Sequence, residues 1–308
     1  MTERVTVNIV DGVAEVRLSR PDKLNALDMA MFEAIVAAGD QVRADPTVRA
    51  VVFSGDGRSF CVGIDLASLG GDAAVGNGPL AHLETRTHGA CNLFQQAAMQ
   101  WRTLPVPVIA AVHGHALGGG LQLMLGADVR IVAPDTALSV KEVVWGLIPD
   151  MAGLVLLRSL VRADVLRDLL FSGRTFNGDE AVALGVASRV DPDPLAAARA
   201  MARAIAGFSP DAVRAAKRLC NAADAGLPDA ELLLCEAREQ QALLTGAAHR
   251  EAVAAGLARR PAVFRRSFRL ISSLTCSSLP FRLPHAHIVF WLILGCWMES
   301  GDGQMDSI

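Results

Sequence analysis

Apolar and polar residues alternate over residues 5–10 and again over 13–18, with Asp11-Gly12 between them. A period of two places Val5, Val7 and Ile9 on one face, and Asp-Gly suits the two positive-φ positions of a type I′ turn, so the pattern predicts a β-hairpin. Arg20-Pro21 ends the second strand, and a helical period takes over across residues 28–44. Short apolar runs follow at 50–53, 108–112 and 129–132, closed by Ser54-Gly55, His113-Gly114 and Ala133-Pro134. Runs of four or five residues, rich in β-branched side chains and bounded by Gly or Pro, read as buried strands. Helical stretches at 80–102 and 121–125 lie between them, and strands alternating with helices predict an α/β layered core. Beyond residue 193 the strand signals stop. An Ala-rich helix is expected over 195–205 and two more over 229–244 and 247–258. Another opens at Ser209-Pro210-Asp211, where Ser caps free amides, Pro takes the first helical position and Asp complements the dipole. This part reads as a helical appendage suited to subunit contacts.

Composition changes the picture at the C-terminus. Residues 265–308 hold one Ala in an otherwise Ala-rich chain, but seven Ser, two of the four Trp and two of the six Cys. Their apolar run at 287–298 falls short of the about 20 residues a membrane span requires. Three readings of this tail stay open: a non-native extension from a shifted reading frame or stop, a weak membrane-associating segment, and a docking segment. The expected organisation is thus a core over residues 1–193, a helical oligomerisation region over 194–264, and an atypical tail, non-native or disordered, over 265–308.

Charge and cysteine usage mainly exclude. The 308 residues are 52% hydrophobic, enough for a sizeable core, and the net charge of −3 offers no cationic surface for nucleic acid. Lys23, Lys141 and Lys217 are the only lysines. The six cysteines form no CxxC pair and no Cys/His zinc spacing, so reduced thiols and no metal site are expected. The first residues lack an apolar signal segment, which favours a cytoplasmic protein.

Three segments carry candidate chemistry. Ser59-Phe60-Cys61-Val62-Gly63-Ile64-Asp65-Leu66 follows the strand at 50–53. His113-Gly114-His115-Ala116-Leu117-Gly118-Gly119-Gly120-Leu121-Gln122 places three glycines between a strand and a helix. Such a turn lets backbone approach a ligand closely and presents free N–H groups at a helix start. The pattern lacks the P-loop Lys-Ser/Thr and the dinucleotide GxGxxG. The third segment sets Glu142 and Asp150 in an otherwise apolar stretch.

In this order the segments resemble the enoyl-CoA hydratase/isomerase (crotonase) family. Arg20-Pro21-Asp22-Lys23-Leu24-Asn25-Ala26-Leu27 looks like its RPxxxNAL segment, Cys61 to Leu66 like its xAGxDL loop with Val62 for the usual Ala, and Ala116 to Gly120 like its AxGGG turn. Ile148-Pro149 with Gly153, and Arg260-Pro261-Ala262-Val263-Phe264, match further landmarks. The resemblance implies a spiral of β-β-α turns with a C-terminal helical region. It implies an acyl-CoA substrate, coenzyme A being part of that substrate rather than a cofactor, and a trimer or hexamer. It makes the amides of Ile64 and Gly119 an oxyanion hole. An enolate forming beside a thioester carbonyl gains about 3–4 kcal/mol from one such fixed donor. Lys23, Ala26, Val62, Asp65 and Leu66 fall at positions for binding CoA, Lys23 through its phosphates.

The departure is at Gln122, where the family's hydratases usually carry a Glu that shares a water with a second Glu, here Glu142. Gln orients water but exchanges no proton near neutral pH. Glu142 is then the general acid/base. Asp150 aligns with an acid of the family's dienoyl-CoA isomerases, which work on opposite sides of the substrate. The reading is an enzyme of fatty-acid metabolism acting on enoyl-CoA thioesters, by hydration or by double-bond isomerisation. The alternatives are a dienoyl-CoA isomerase using Glu142 and Asp150, and a non-catalytic acyl-CoA-binding protein. His113, His115 and Ser139 also invite a Ser–His hydrolase, but no GxSxG elbow is present.

Overall fold

Strands β1 (Val5–Val10) and β2 (Val13–Leu18) pair antiparallel in the computed structural model, which describes residues 3–69 and 80–264. Asp11 and Gly12 between them both have positive φ, 50° and 81°, as the hairpin reading requires. The readings of residues 265–308 lie outside the described residues, and those described all fall in one unit, Met1–Phe268.

Helix α1 (Met29–Ala44) starts where the Asp28 side chain accepts the Met31 N–H, and buries Met31, Phe32, Ile35 and Val36. It leads to β3 (Ala50–Gly55), which lies parallel to β2. A single helical turn, α2 (Leu66–Leu69), and α3 (Leu93–Thr103) precede β4 (Val108–Val112), β5 (His115–Leu117) and α4 (Gly119–Leu125). Next come β6 (Val129–Val132), β7 (Ala137–Ser139) and a 3₁₀ turn at Glu142–Trp145. Three short helices follow, α5 (Gly153–Leu157), α6 (Ala163–Ser172) and α7 (Gly178–Leu184), before β8 (Arg189–Val190).

The large sheet runs β1-β2-β3-β4-β6-β8, parallel after the first pair. A second, smaller sheet pairs β5 with β7, and bridges from Cys61 to Ala116 and from Leu138 to Phe176 extend it. Successive turns thus repeat a long strand, a short strand and a helical segment, which is the expected α/β spiral. Both faces of the large sheet are covered. Val51, Phe53 and Val108 belong to the core beneath α1, α3 and α4, while Val52, Ile109 and Ile131 face the other way. That is why these strands read as continuous apolar runs rather than alternations. Each such side chain contributes about 1.5–3 kcal/mol by burial.

The second face is covered by α8 (Pro194–Ala206), whose Ala198, Ala202 and Ala206 recur every four residues against β3, β4 and β6. Helix α9 (Pro210–Asp224) is fastened by Lys217, whose Nζ donates to the carbonyls of Trp101 (3.0 Å) and Val106 (2.8 Å) and to Asp128 Oδ2 (2.7 Å). Helices α10 (Asp229–Leu244) and α11 (Ala247–Leu257) complete the helical end. Arg49, just before β3, donates to the Ala206 carbonyl at 2.9 Å and to the Phe264 carbonyl at 2.8 Å.

One expectation differs from the structure. The helix read over 80–102 begins only at Leu93, because Asn92 and Gln95 form a reciprocal capping box there. Before it, His88 and Cys91 bond each other's backbone around Gly89, whose φ is 64°. Among the described residues Cys61, Cys91 and Cys220 are free thiols. Among the described residues no helix is long and apolar enough to cross a membrane.

Candidate active site

The loop from Arg20 to Leu27 is held by its own polar groups. Asn25, fully buried at φ 57°, accepts the Arg20 N–H and donates to the carbonyls of Asp56 and Ser59 at 2.9 and 2.8 Å. The Arg20 guanidinium pairs with Asp65 at 2.8 Å and lies 3.5 Å from Asp28. Asp65 therefore spends its carboxylate on fixing this loop to the next one. Ala26 is buried and Lys23 is exposed, on the rim of the same loop.

Residues 61–66 run alongside. Leu27 bonds the Gly63 carbonyl and the Asp65 N–H, at 2.8 and 3.0 Å, and leaves the Ile64 N–H between them outside that ladder. Val62 donates to the Leu24 carbonyl at 3.2 Å, and Leu66 is exposed at the start of α2. Gly63 has φ 88°, and a Cβ there would stand 2.6 Å from the Leu117 carbonyl and 3.3 Å from the Gly119 nitrogen. Only glycine allows this approach, which brings the Ile64 loop against the first residue of α4. As that first residue, Gly119 has no intrahelical acceptor for its N–H. The chain thus gathers two backbone donors, Ile64 and Gly119, at one place.

The acids stand beside them. Glu142 is 8% exposed, and its Oε1 accepts a 2.6 Å bond from Gln122 Nε2. Its Oε2 is buried and has no partner among the described residues. A Cβ on Gly118, next to the Gly119 amide, would lie 3.3 Å from Glu142 Oε1. Gln122 is 1% exposed, and its Oε1 accepts the N–H of Met151 and of Gly153, both at 2.9 Å. Burial pushes the Glu142 carboxyl up from its ordinary 4.5, and the charge of Asp150 adds to the rise while the Gln122 bond opposes it. Burial also raises the half-buried Asp150 above its ordinary 3.8. The segment between the acids turns Val144, Trp145, Leu147 and Ile148 outward, each more than half exposed.

The Ser–His alternative does not assemble. Ser139 is buried and donates to the Gly173 carbonyl, His115 Nδ1 meets the buried Ser59 hydroxyl at 2.8 Å, and His113 Nε2 meets the Gly57 carbonyl. What sequence reasoning missed is the triple engagement of Gln122. Two of its partners are backbone N–H groups, which no residue identity announces. Arg20 was also missed as the partner of Asp65.

A family model described as enoyl-CoA hydratase/isomerase matches residues 8–267. The human protein named mitochondrial Delta(3,5)-Delta(2,4)-dienoyl-CoA isomerase is 36% identical over 210 residues, covering 67% of this chain and 64% of the relative. The chain thus spans slightly less than two thirds of the length of that relative. Enoyl-CoA hydratase EchA19 of Mycobacterium tuberculosis is 33% identical over 205 residues, 66% of this chain and 74% of the relative. A crystal structure of enoyl-CoA hydratase from Bacillus anthracis superposes with a TM-score of 0.77 at 26% identity, covering 86% of this chain and all of that one.

Proposed function

The chain belongs to the enoyl-CoA hydratase/isomerase family, and we propose that it moves double bonds within enoyl- or dienoyl-CoA thioesters rather than adding water to them. The observation that carries this reading is the 2.6 Å bond between Gln122 Nε2 and Glu142 Oε1. A hydrating pair must hold a water between its two side chains, and a direct bond leaves no room for one there. The two remaining ionisable groups, Glu142 and Asp150, are both raised above the ordinary carboxylate range, chiefly by burial. Two such groups suit removal of a proton from one carbon and its return to another. The human relative's name, a dienoyl-CoA isomerase, agrees in kind.

In this reaction one acid, as carboxylate, takes the proton next to the thioester carbonyl. The C–H electron pair shifts into the carbonyl oxygen, where the amides of Ile64 and Gly119 receive the negative charge. The other acid returns a proton at the far end of the conjugated system, and the double bonds have moved with no net change in composition. Coenzyme A enters as part of the substrate, with Lys23, Ala26, Val62, Asp65 and Leu66 along its path. Self-association into trimers or hexamers is part of the same reading. It is supported by the exposed Leu233, Leu234, Leu244, Val253 and Leu257 of the C-terminal helices. A role in fatty-acid metabolism follows from such a substrate.

The test is incubation with a 3,5-dienoyl-CoA and with crotonyl-CoA, products resolved, for the wild type and Asp150→Asn. Dienoyl-CoA should be isomerised and crotonyl-CoA hydrated poorly, and Asp150→Asn should lower isomerisation on the order of 10²-fold. Hydration of crotonyl-CoA near about 10⁷ M⁻¹s⁻¹ would overturn the assignment. A second reading, a non-catalytic acyl-CoA binder, would show CoA-ester binding without either product.

A further inference from the structure

We propose that Gln122 is a positioning residue that assigns the mobile proton of Glu142 to a single oxygen, Oε2, and holds the Asp150 turn in register with it. The inference rests on reading Glu142 and Asp150 as the acid–base pair, and it concerns how that pair is set.

The orientation of the Gln122 amide follows from its partners. Oε1 accepts two backbone N–H groups, those of Met151 and Gly153. Reversed, the amide would press its NH₂ group against two donors that cannot change role. Nε2 therefore points at Glu142, and at 2.6 Å it can only donate to Oε1. An oxygen committed to accepting that bond is not the one that bears the acid hydrogen. When Glu142 is protonated, the hydrogen sits on Oε2, the oxygen with no partner among the described residues. When it is ionised, Oε2 is the oxygen left free to take a proton from carbon, forming O–H as C–H breaks. Gly118, beside the Gly119 amide, borders the same carboxylate, with 3.3 Å between its would-be Cβ and Oε1. The proton-bearing group thus lies next to the place where the thioester oxygen would be held.

The same amide reaches the second acid. Met151 follows Asp150 directly in the chain, and Ala152, between the two clamped amides, is held at φ 68°. A non-glycine residue there is strained, and the clamp on both sides helps to hold it. One buried side chain thus fixes the carboxyl rotamer of Glu142 and the backbone that carries Asp150.

Two replacements separate the roles. Gln122→Glu keeps an oxygen for Met151 and Gly153 but turns its second oxygen on Glu142, and carboxylates at that contact share one proton. Gln122→Met removes all three bonds. The first measurement needs no substrate. It is an infrared pH titration of the acid carbonyl band of Glu142, recognised as the band that Glu142→Gln removes in each background. In Gln122→Glu its midpoint should rise by about one pH unit or more; an unmoved midpoint overturns the inference. The second is α-proton exchange of butyryl-CoA in D₂O. Gln122→Met should lower kcat on the order of 10²-fold with KM within about threefold, and shift the acid limb of the pH profile upward. Wild-type kcat and pH profile in a folded Gln122→Met also overturn it. If Gln122→Met fails to fold, Gln122→Glu decides by its titration, since it retains both backbone bonds. If the wild type exchanges no α-proton of butyryl-CoA, the titration alone judges Gln122, and the dienoyl-CoA assay judges the proposed function.

Discussion

Two buried polar groups of this protein look alike in composition and differ in closure. Around Lys217, the buried charge is fully matched: Nζ has three acceptors, and Asp128 Oδ2 accepts the Val108 N–H at 2.7 Å as well as the ammonium. Around Glu142, the matching is complete on one side and stops at Oε2. A closed buried network rigidifies and specifies a fold, whereas an unmatched atom in one calls for a different explanation. The Lys217 cluster joins α9 to the sheet and the chain ahead of it. The Glu142 cluster keeps an oxygen in reserve, which is where chemistry can occur.

The largest effect that separates them should come from Glu142→Gln. Turnover should fall on the order of 10²–10⁴-fold with modest change in binding, measured by steady-state kinetics on an enoyl- or dienoyl-CoA. Stability should move the other way. A carboxyl raised in the folded state carries no penalty below its ordinary value of 4.5 and costs stability as pH rises through the folded value. Glu142→Gln should therefore be the more stable protein at neutral pH, with the gain vanishing below about pH 4.5 in denaturant titrations. Near-normal turnover, or a gain that persists in acid, would erase the contrast.

Lys217→Met tests the closed cluster. It should cost about 3 kcal/mol of unfolding free energy, the low end for a broken buried pair because Asp128 retains the Val108 N–H and some solvent. Turnover per folded molecule should stay unchanged. A smaller effect is expected from Gly153→Ala, whose Cβ would stand 2.8 Å from Gln122 Oε1. It should destabilise by about 1 kcal/mol and lower kcat about tenfold, since the displaced amide serves both acids. If Gly153→Ala proves as silent catalytically as Lys217→Met, the two clusters are not divided in the way described.

Much of the fold was legible because local rules and burial agree. The hairpin turn at Asp11-Gly12, the Ser209 cap and the strands at 50–53, 108–112 and 129–132 each announce themselves by residue type and period. The elements that escaped are short. β5, β7 and β8 have two or three residues, too few for a period, and α5, α6 and α7 emerge from a stretch whose apolar residues face outward as often as inward. At the site, Glu142, Asp150 and Gln122 were legible as residue types in a familiar order. Their arrangement was not, because it depends on the amides of Met151 and Gly153, 29 and 31 residues from Gln122. Every residue but proline carries a backbone donor, so residue identity marks none of them.

Arg49 bears on the order in which this chain can assemble. Its guanidinium joins residues 157 and 215 positions further along, the carbonyls of Ala206 and Phe264. Contacts across such separations carry a high loop-closure cost, and they form only once nearer contacts have shortened the effective path. The hairpin and the turns of the spiral supply those nearer contacts as they leave the ribosome. The two carbonyls that Arg49 gathers are synthesised after the spiral, so the nascent protein should complete its spiral while this arginine still waits for its acceptors.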